Sequence, residues 1–179
     1  GIVAAETLIS HIDGKNGKLF YRGYEIRDIT KGYSFEEVAY LLWFGHFPDP
    51  GQLTALKNQL RGNRELPENI KGIIDQLPPS MDFMSVLRTA ISAEGGNSKY
   101  DWKPTISQAI RLTALVPTII AYRKRQVEGK QFVPPHSDFD YVENYLYMLT
   151  GKRPLVAHVE ALETYMILTL EHGMNASTF

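Results

Sequence analysis

A chain of 179 residues can build one hydrophobic core that removes roughly 70% of its unfolded surface from water, and it is short for two. Its 19 basic side chains against 20 acidic ones leave no charge excess to draw in nucleic acid or a membrane surface. With no cysteine, a disulfide scaffold, thiolate catalysis and thiolate metal sites are excluded.

The first stretch alternates. In LISHIDGKNGKLFYRG two short apolar-rich runs flank Lys15-Asn16-Gly17, and Asn-Gly between such runs predicts a β-hairpin over residues 8 to 22. After Gly23 the period turns helical. Ser34 followed three residues later by Glu37 reads as a capping box, and the helix it opens runs through VAYLLWF to Gly45. GQLTALKNQLRG carries Leu53, Leu56 and Leu60 at helical spacing and stops at Gly62. Pro67 suits the first turn of another helix, which Pro78 and Pro79 end.

Phe83, Val86, Leu87, Ala90 and Ile91 form one stripe, predicting a helix over residues 82 to 94 that stops at Gly95-Gly96. Thr105 and Gln108 make a second capping box, opening a helix over 105 to 125 whose apolar residues surround it and which Pro117 should kink. Arg123-Lys124-Arg125 falls near that helix's C-terminus, where cations suit the helix dipole without any phosphate ligand. DYVENYLYMLTG gives a further helix ending at Gly151. Pro154 opens the last, 155 to 172, which Gly173 closes. Loops are expected at 97 to 103 and 129 to 137, and residues 1 to 179 form a single domain of mainly α, multi-helical, bundle-like class with a small N-terminal β-hairpin.

No run of about 18 apolar residues offers a membrane span, no basic-then-apolar leader opens the chain, and the cytoplasm is the default compartment. The chain begins on Gly1 and not Met, so the natural protein is expected to extend beyond both ends.

Chemistry-bearing signals are few. GxGxxG, the P-loop, HExxH and GxSxG are all missing, and nothing calls for a metal or a cofactor. His11, His46, His136 and His158 have no titratable group beside them in sequence and read as surface or structural residues. His172 differs. It stands at the end of the last predicted helix, ahead of a glycine turn and of Asn175, Ser177 and Thr178. That cluster of compact hydrogen-bonding groups suits an anionic carboxylate ligand, and it equally suits a helix-capping histidine followed by a new N-cap.

AAETLISHIDGKNGKLFYRGYEIRDI, SFEEVAYLLWFGHFP, SVLRTAISAEG, ALVPTIIAYRKR, ENYLYMLTG and LEHGMNASTF resemble, in this order, the first half of bacterial citrate synthases. The resemblance covers the whole chain, and its most specific piece is a histidine followed three residues later by Asn-Ala-Ser-Thr. It implies the N-terminal part of a large helical domain, oxaloacetate binding by His172 with Asn175 close to the same ligand, and an acyl-CoA as second substrate. That acyl-CoA is acetyl-CoA for citrate synthase, or propionyl-CoA for 2-methylcitrate synthase. It also implies a homodimer joined through the helices at 82 to 94, 105 to 125 and 155 to 172, with no nucleic acid and no membrane as partner.

The family's other catalytic groups lie in Gly-Pro-Leu-His-Gly-Gly and Gly-Phe-Gly-His-Arg segments and an aspartate that this chain does not contain; Gly45-His46-Phe47 lacks the flanking residues to substitute. Condensation needs a base, a donor to the enolate oxygen and a polariser of the ketone, and one histidine cannot supply all three. The chain alone is therefore expected to be inactive, with the catalytic residues beyond Phe179. The alternative of another class is a non-catalytic helical dimerisation module.

Overall fold

The structure, a computed structural model, describes residues 6–97 and 103–173. Backbone contacts divide the chain into two compact units, one made of Gly1–Leu56 with Val156–Phe179 and the other of Lys57–Leu155. Each has its own core.

In the first unit, β1 (Ser10–Asp13) and β2 (Lys18–Tyr21) form the expected antiparallel hairpin, with His11 opposite Phe20 and Asp13 opposite Lys18. Its loop is longer than a two-residue Asn-Gly turn. The Asp13 carboxylate accepts from the amides of Lys15 and Asn16, both at 3.2 Å, and from Asn16 Nδ2 at 2.6 Å, and Gly17 closes the loop at φ +63. These bonds, the Asn16 side chain first, hold the Asp13 carboxyl below its ordinary range. A third strand, β3 (Tyr24–Glu25), was not legible in the alternation. It returns along β2 through Arg22 and Gly23, both in the left-handed region at φ +49 and +90, the mirror-image turn that matches strand twist. A short helix follows, α1 (Ile26–Ile29).

Ser34 caps α2 (Phe35–Phe44) as read from the sequence: its hydroxyl accepts from the Glu37 amide while Glu37 accepts from the Ser34 amide at 2.7 Å. Gly45, left-handed at φ 85, ends it. α3 (Pro50–Gly62) comes next, its residues up to Leu56 belonging to this unit and the rest to the other, and α8 (Val156–Leu168) completes the first unit, whose core joins Tyr21, Ile26, Ile29, Val38, Leu41 and Ile167.

The second unit holds α4 (Glu68–Asp75), α5 (Phe83–Asn97), α6 (Ile106–Val127) and α7 (Tyr141–Thr150). Leu66, Ile70, Ile74, Val86, Ala90, Leu115 and Ile119 form its core. α5 does not stop at Gly95-Gly96. Neither glycine takes a positive φ, so both are carried within the helix to Asn97. The Thr105–Gln108 box caps α6, as expected, and the helix continues unbroken past Pro117. A proline there has no N–H for the Thr113 carbonyl one turn back, and the Tyr141 hydroxyl of α7 donates to that carbonyl at 2.9 Å instead. Gly151 ends α7 at φ 74.

Candidate functional site

The predicted site residue His172 belongs to the first unit and follows α8. The helix was expected to reach residue 172, but it ends at Leu168, and the Tyr21 side chain meets the chain just beyond that end. Leu19 and Tyr21 alternate onto the core face of β2, and Tyr21 is fully buried. Its single hydroxyl proton is directed to the Ile167 carbonyl at 2.9 Å, with the Glu171 carbonyl a longer acceptor at 3.2 Å, and its oxygen accepts from the Glu171 amide at 3.1 Å. In a continuing helix the Glu171 amide would bond the Ile167 carbonyl directly. The phenol oxygen occupies that place. Ahead of it the ladder already loosens: the Thr169 amide is shared between Tyr165 and Met166 carbonyls, both at 3.2 Å, and Leu170 reaches only Ile167 at 3.4 Å.

Beyond this point the chain is pinned again. Ser10 Oγ donates to Glu171 Oε1 at 3.2 Å, the same oxygen accepts the Gly173 amide, and Gly173 turns the chain at φ +89. His172 sits between these anchors with its side chain exposed. Burial pushes the Tyr21 phenol above its ordinary pKa, and the Glu171 carboxylate adds to the shift, so the hydroxyl keeps its proton at neutral pH. Asn175, the second predicted ligand, lies outside the described residues.

Three of the other histidines, His11, His46 and His136, have local partners. His11 is exposed on β1 and tilts against Phe20. His46 Nδ1 donates to the Phe47 carbonyl at 3.0 Å, and His158 is exposed on α8. His136 stacks on Phe139 at 3.8 Å between centroids, while its Nδ1 accepts the Asp138 amide. The cations 123 to 125 are also consumed internally. Arg123, buried, donates to the carbonyls of Leu77 and Pro78; Lys124 pairs with Glu128; Arg125 donates to the Gln131 and Leu149 carbonyls. Lys124 first, then Lys130, holds the Glu128 carboxyl down at about 2.

A cleft of about 390 Å³ opens in the first unit between the α1–α2 turn and α8, lined among others by Lys31, Tyr33, Ser34, Glu160 and Glu163. His172 does not line it, and its two carboxylates against one lysine ill suit a dianionic keto acid. The His172 segment is therefore the better candidate.

A family model described as "Citrate synthase, C-terminal domain" matches residues 1–179. The chain belongs to the citrate synthase family. Relatives within the family carry two names. A 2-methylcitrate synthase of Mycobacterium tuberculosis is 38% identical over 181 residues, covering 100% of this chain and 46% of its own length. A citrate synthase of Mycolicibacterium smegmatis is 37% identical over 183 residues, covering 100% and 48%. Among solved structures, citrate synthase from Thermotoga maritima superposes with a TM-score of 0.88 at 34% identity, covering 99% of this chain and 47% of that one. A ternary complex of carboxymethyl coenzyme A and oxaloacetate with citrate synthase from Thermoplasma acidophilum gives 0.91 at 25% identity, covering 98% and 47%. The mainly helical fold with a small sheet is the citrate synthase fold. The chain spans about half the length of the curated relatives it matches.

Tyr21, which holds the segment before His172, carries no motif that marks it as part of the candidate site. Alternation along KLFY was the one available signal that its side chain turns inward. Nothing local announces a partner 146 residues away.

Proposed function

We propose that this chain serves the condensation of an acyl-CoA with oxaloacetate and water to give citrate and CoA, as an N-terminal portion of the large helical domain of a cytoplasmic, homodimeric enzyme. The observation that carries the reading is the segment Thr169–Gly173: unwound from α8, anchored through backbone and carboxylate bonds, and presenting the His172 imidazole outward. An imidazole N–H aimed at a carboxylate or ketone oxygen makes a charge-assisted hydrogen bond that holds the keto acid and draws electron density from its carbonyl. Asn175 is assigned to the same ligand. The base that deprotonates the acyl methyl and the donor to the enolate oxygen are assigned to residues after Phe179, and the 179-residue chain alone is inactive in this reading.

Propionyl-CoA in place of acetyl-CoA, giving 2-methylcitrate, is the second reading, supported by 38% identity to a 2-methylcitrate synthase beside 37% to a citrate synthase. A dimerising module without catalysis is the third, supported by the exposed apolar residues Leu155, Val156, Tyr165 and Leu168 on and beside α8.

The test is an oxaloacetate titration of the chain followed by NMR, with His172→Ala beside wild type. Loss of a charge-assisted contact costs about 1.5–3 kcal/mol, so the variant should bind roughly ten- to a hundredfold more weakly while melting like wild type. Equal binding with a lowered melting temperature would make His172 a structural cap. Citrate formation from acetyl-CoA by this chain alone would overturn the assignment of the remaining catalytic groups.

A further inference from the structure

We propose that Tyr21 is a positioning residue for His172: its hydroxyl takes the place of the next main-chain hydrogen bond of α8 and so releases His172 from the helix. The inference rests on the reading of His172 as a substrate contact and adds the device that sets its position.

The Ile167 carbonyl and the Glu171 amide are separated by four residues, the spacing of an α-helical pair, yet each bonds the phenol oxygen, at 2.9 and 3.1 Å. A hydroxyl can do this because it donates and accepts at once. Were the two groups bonded to each other, α8 would run on through Glu171 and His172 would stand over Leu168 and Thr169 as the next helical side chain. Inserting one oxygen between them satisfies both groups and ends the helical path. Water is a poor substitute, because Tyr21 is fully buried and packed with Ile26, Ile29 and Ile167. Ser10 and the Gly173 amide then fix the Glu171 carboxylate on the far side, so the peptide before and the peptide after His172 are both held. Phenylalanine fills the same volume and can do neither bond. With the part-buried Glu171 amide left without its acceptor and the buried Ile167 carbonyl left with only the long 3.4 Å bond from the Leu170 amide, the available remedy is for them to bond each other, which extends α8 by about one turn and carries His172 away from its present place.

The experiment compares wild type with Tyr21→Phe, with Ile29→Val as a control that trims the same core without touching the 167–173 segment, and with His172→Ala. In Tyr21→Phe, carbon-13 α shifts of residues 169 to 171 should move to helical values, the His172 imidazole resonances should move, and oxaloacetate should bind about tenfold more weakly, since misplacement of a contact group by about 1 Å has effects of this order or larger. Ile29→Val should leave the segment shifts, the imidazole resonances and the affinity unchanged even where it lowers the melting temperature. Wild-type segment shifts in Tyr21→Phe would overturn the wedge. Helical shifts with unchanged affinity would overturn its role in positioning His172. If His172→Ala binds oxaloacetate as wild type does, the ligand assignment fails instead, and the shifts in Tyr21→Phe still decide whether the hydroxyl ends the helix.

Discussion

Arg22 shows how much one residue can be asked to hold. A non-glycine residue at φ +49 costs about 1–2 kcal/mol in backbone strain, and Arg22 compensates by donating from Nε and Nη2 to the Leu42 carbonyl at 3.1 and 2.6 Å. That carbonyl belongs to the last turn of α2, where intrahelical donors run out. Arg22→Ala keeps the strain and loses the charged donor, so urea denaturation should report a loss of about 1.5–3 kcal/mol. Arg22→Gly loses the same donor but relaxes the backbone, and it should be the milder change by about 1 kcal/mol. Equal losses in the two variants would mean that the left-handed turn stores no strain.

At the scale of the element, end signals divide into those written locally and those supplied from afar. Ser34 with Glu37, Thr105 with Gln108, and the glycines at 45 and 151 are local, and α2, α6 and α7 begin or end where those residues say. Ser34→Ala should lower stability by about 1 kcal/mol in thermal or urea melts, and wild-type stability would mean the box is idle. The C-terminal end of α8 is not written in its own sequence, because a tyrosine from β2 sets it. Gly95-Gly96 carried a stop signal that the packing of Val86 and Ala90 overrode. β3 escaped because Arg22 is an uncommon residue for the first place of its turn. Of the candidate site, the motif around His172 was legible in the sequence, whereas the hydroxyl proposed to set its segment was invisible to any window of the sequence. Tyr141 repeats the theme by serving the carbonyl that Pro117 leaves without a donor, and Tyr141→Phe should cost about 1–3 kcal/mol in a urea melt; an unchanged melt would show another donor in its place. Tyr122 gives a pH test. Burial first, then the hydrogen bond to Asp75 at 2.8 Å, pushes its phenol up to about 12, above the unfolded value of about 10. The folded state thus holds the proton more tightly, so this contribution is complete below about pH 10 and is lost as pH rises through 12. The melting temperature of wild type should fall more steeply over that window than that of Tyr122→Phe, and parallel curves would refute the coupling.

For the whole molecule, the unspent apolar surface is the main clue to assembly. Phe83 and Met84 on α5, and separately Leu155, Val156, Tyr165 and Leu168 around α8, are large side chains left in water, Met84 and Val156 each 72% exposed. Exposed groups of this kind mark contact faces, and the proposed homodimer would cover them. Light scattering across a dilution series should show dimers giving way to monomers as concentration falls. Monomer alone at micromolar concentration would remove the dimer from the proposal.

The bond between Tyr21 and α8 also orders events in time. Residues 57–155 form one continuous unit, while the other unit needs both the beginning of the chain and residues after 155, with Tyr21 meeting partners 146 and 150 residues downstream. On a ribosome delivering about 5–20 residues per second, the hairpin emerges well before the strand's hydroxyl has anything to bond. Prior folding of the continuous unit shortens the loop that must close, although closure entropy grows only slowly with length. Pulse-labelled hydrogen exchange during refolding should therefore protect Ile70, Ile74, Leu115 and Ile119 before Ile167 and Glu171, and simultaneous protection would contradict this sequence of events. On this schedule the stretch bearing His172 is among the last parts of the molecule to acquire its shape, so a nascent chain completes the rest of its core before the proposed ligand contact can form.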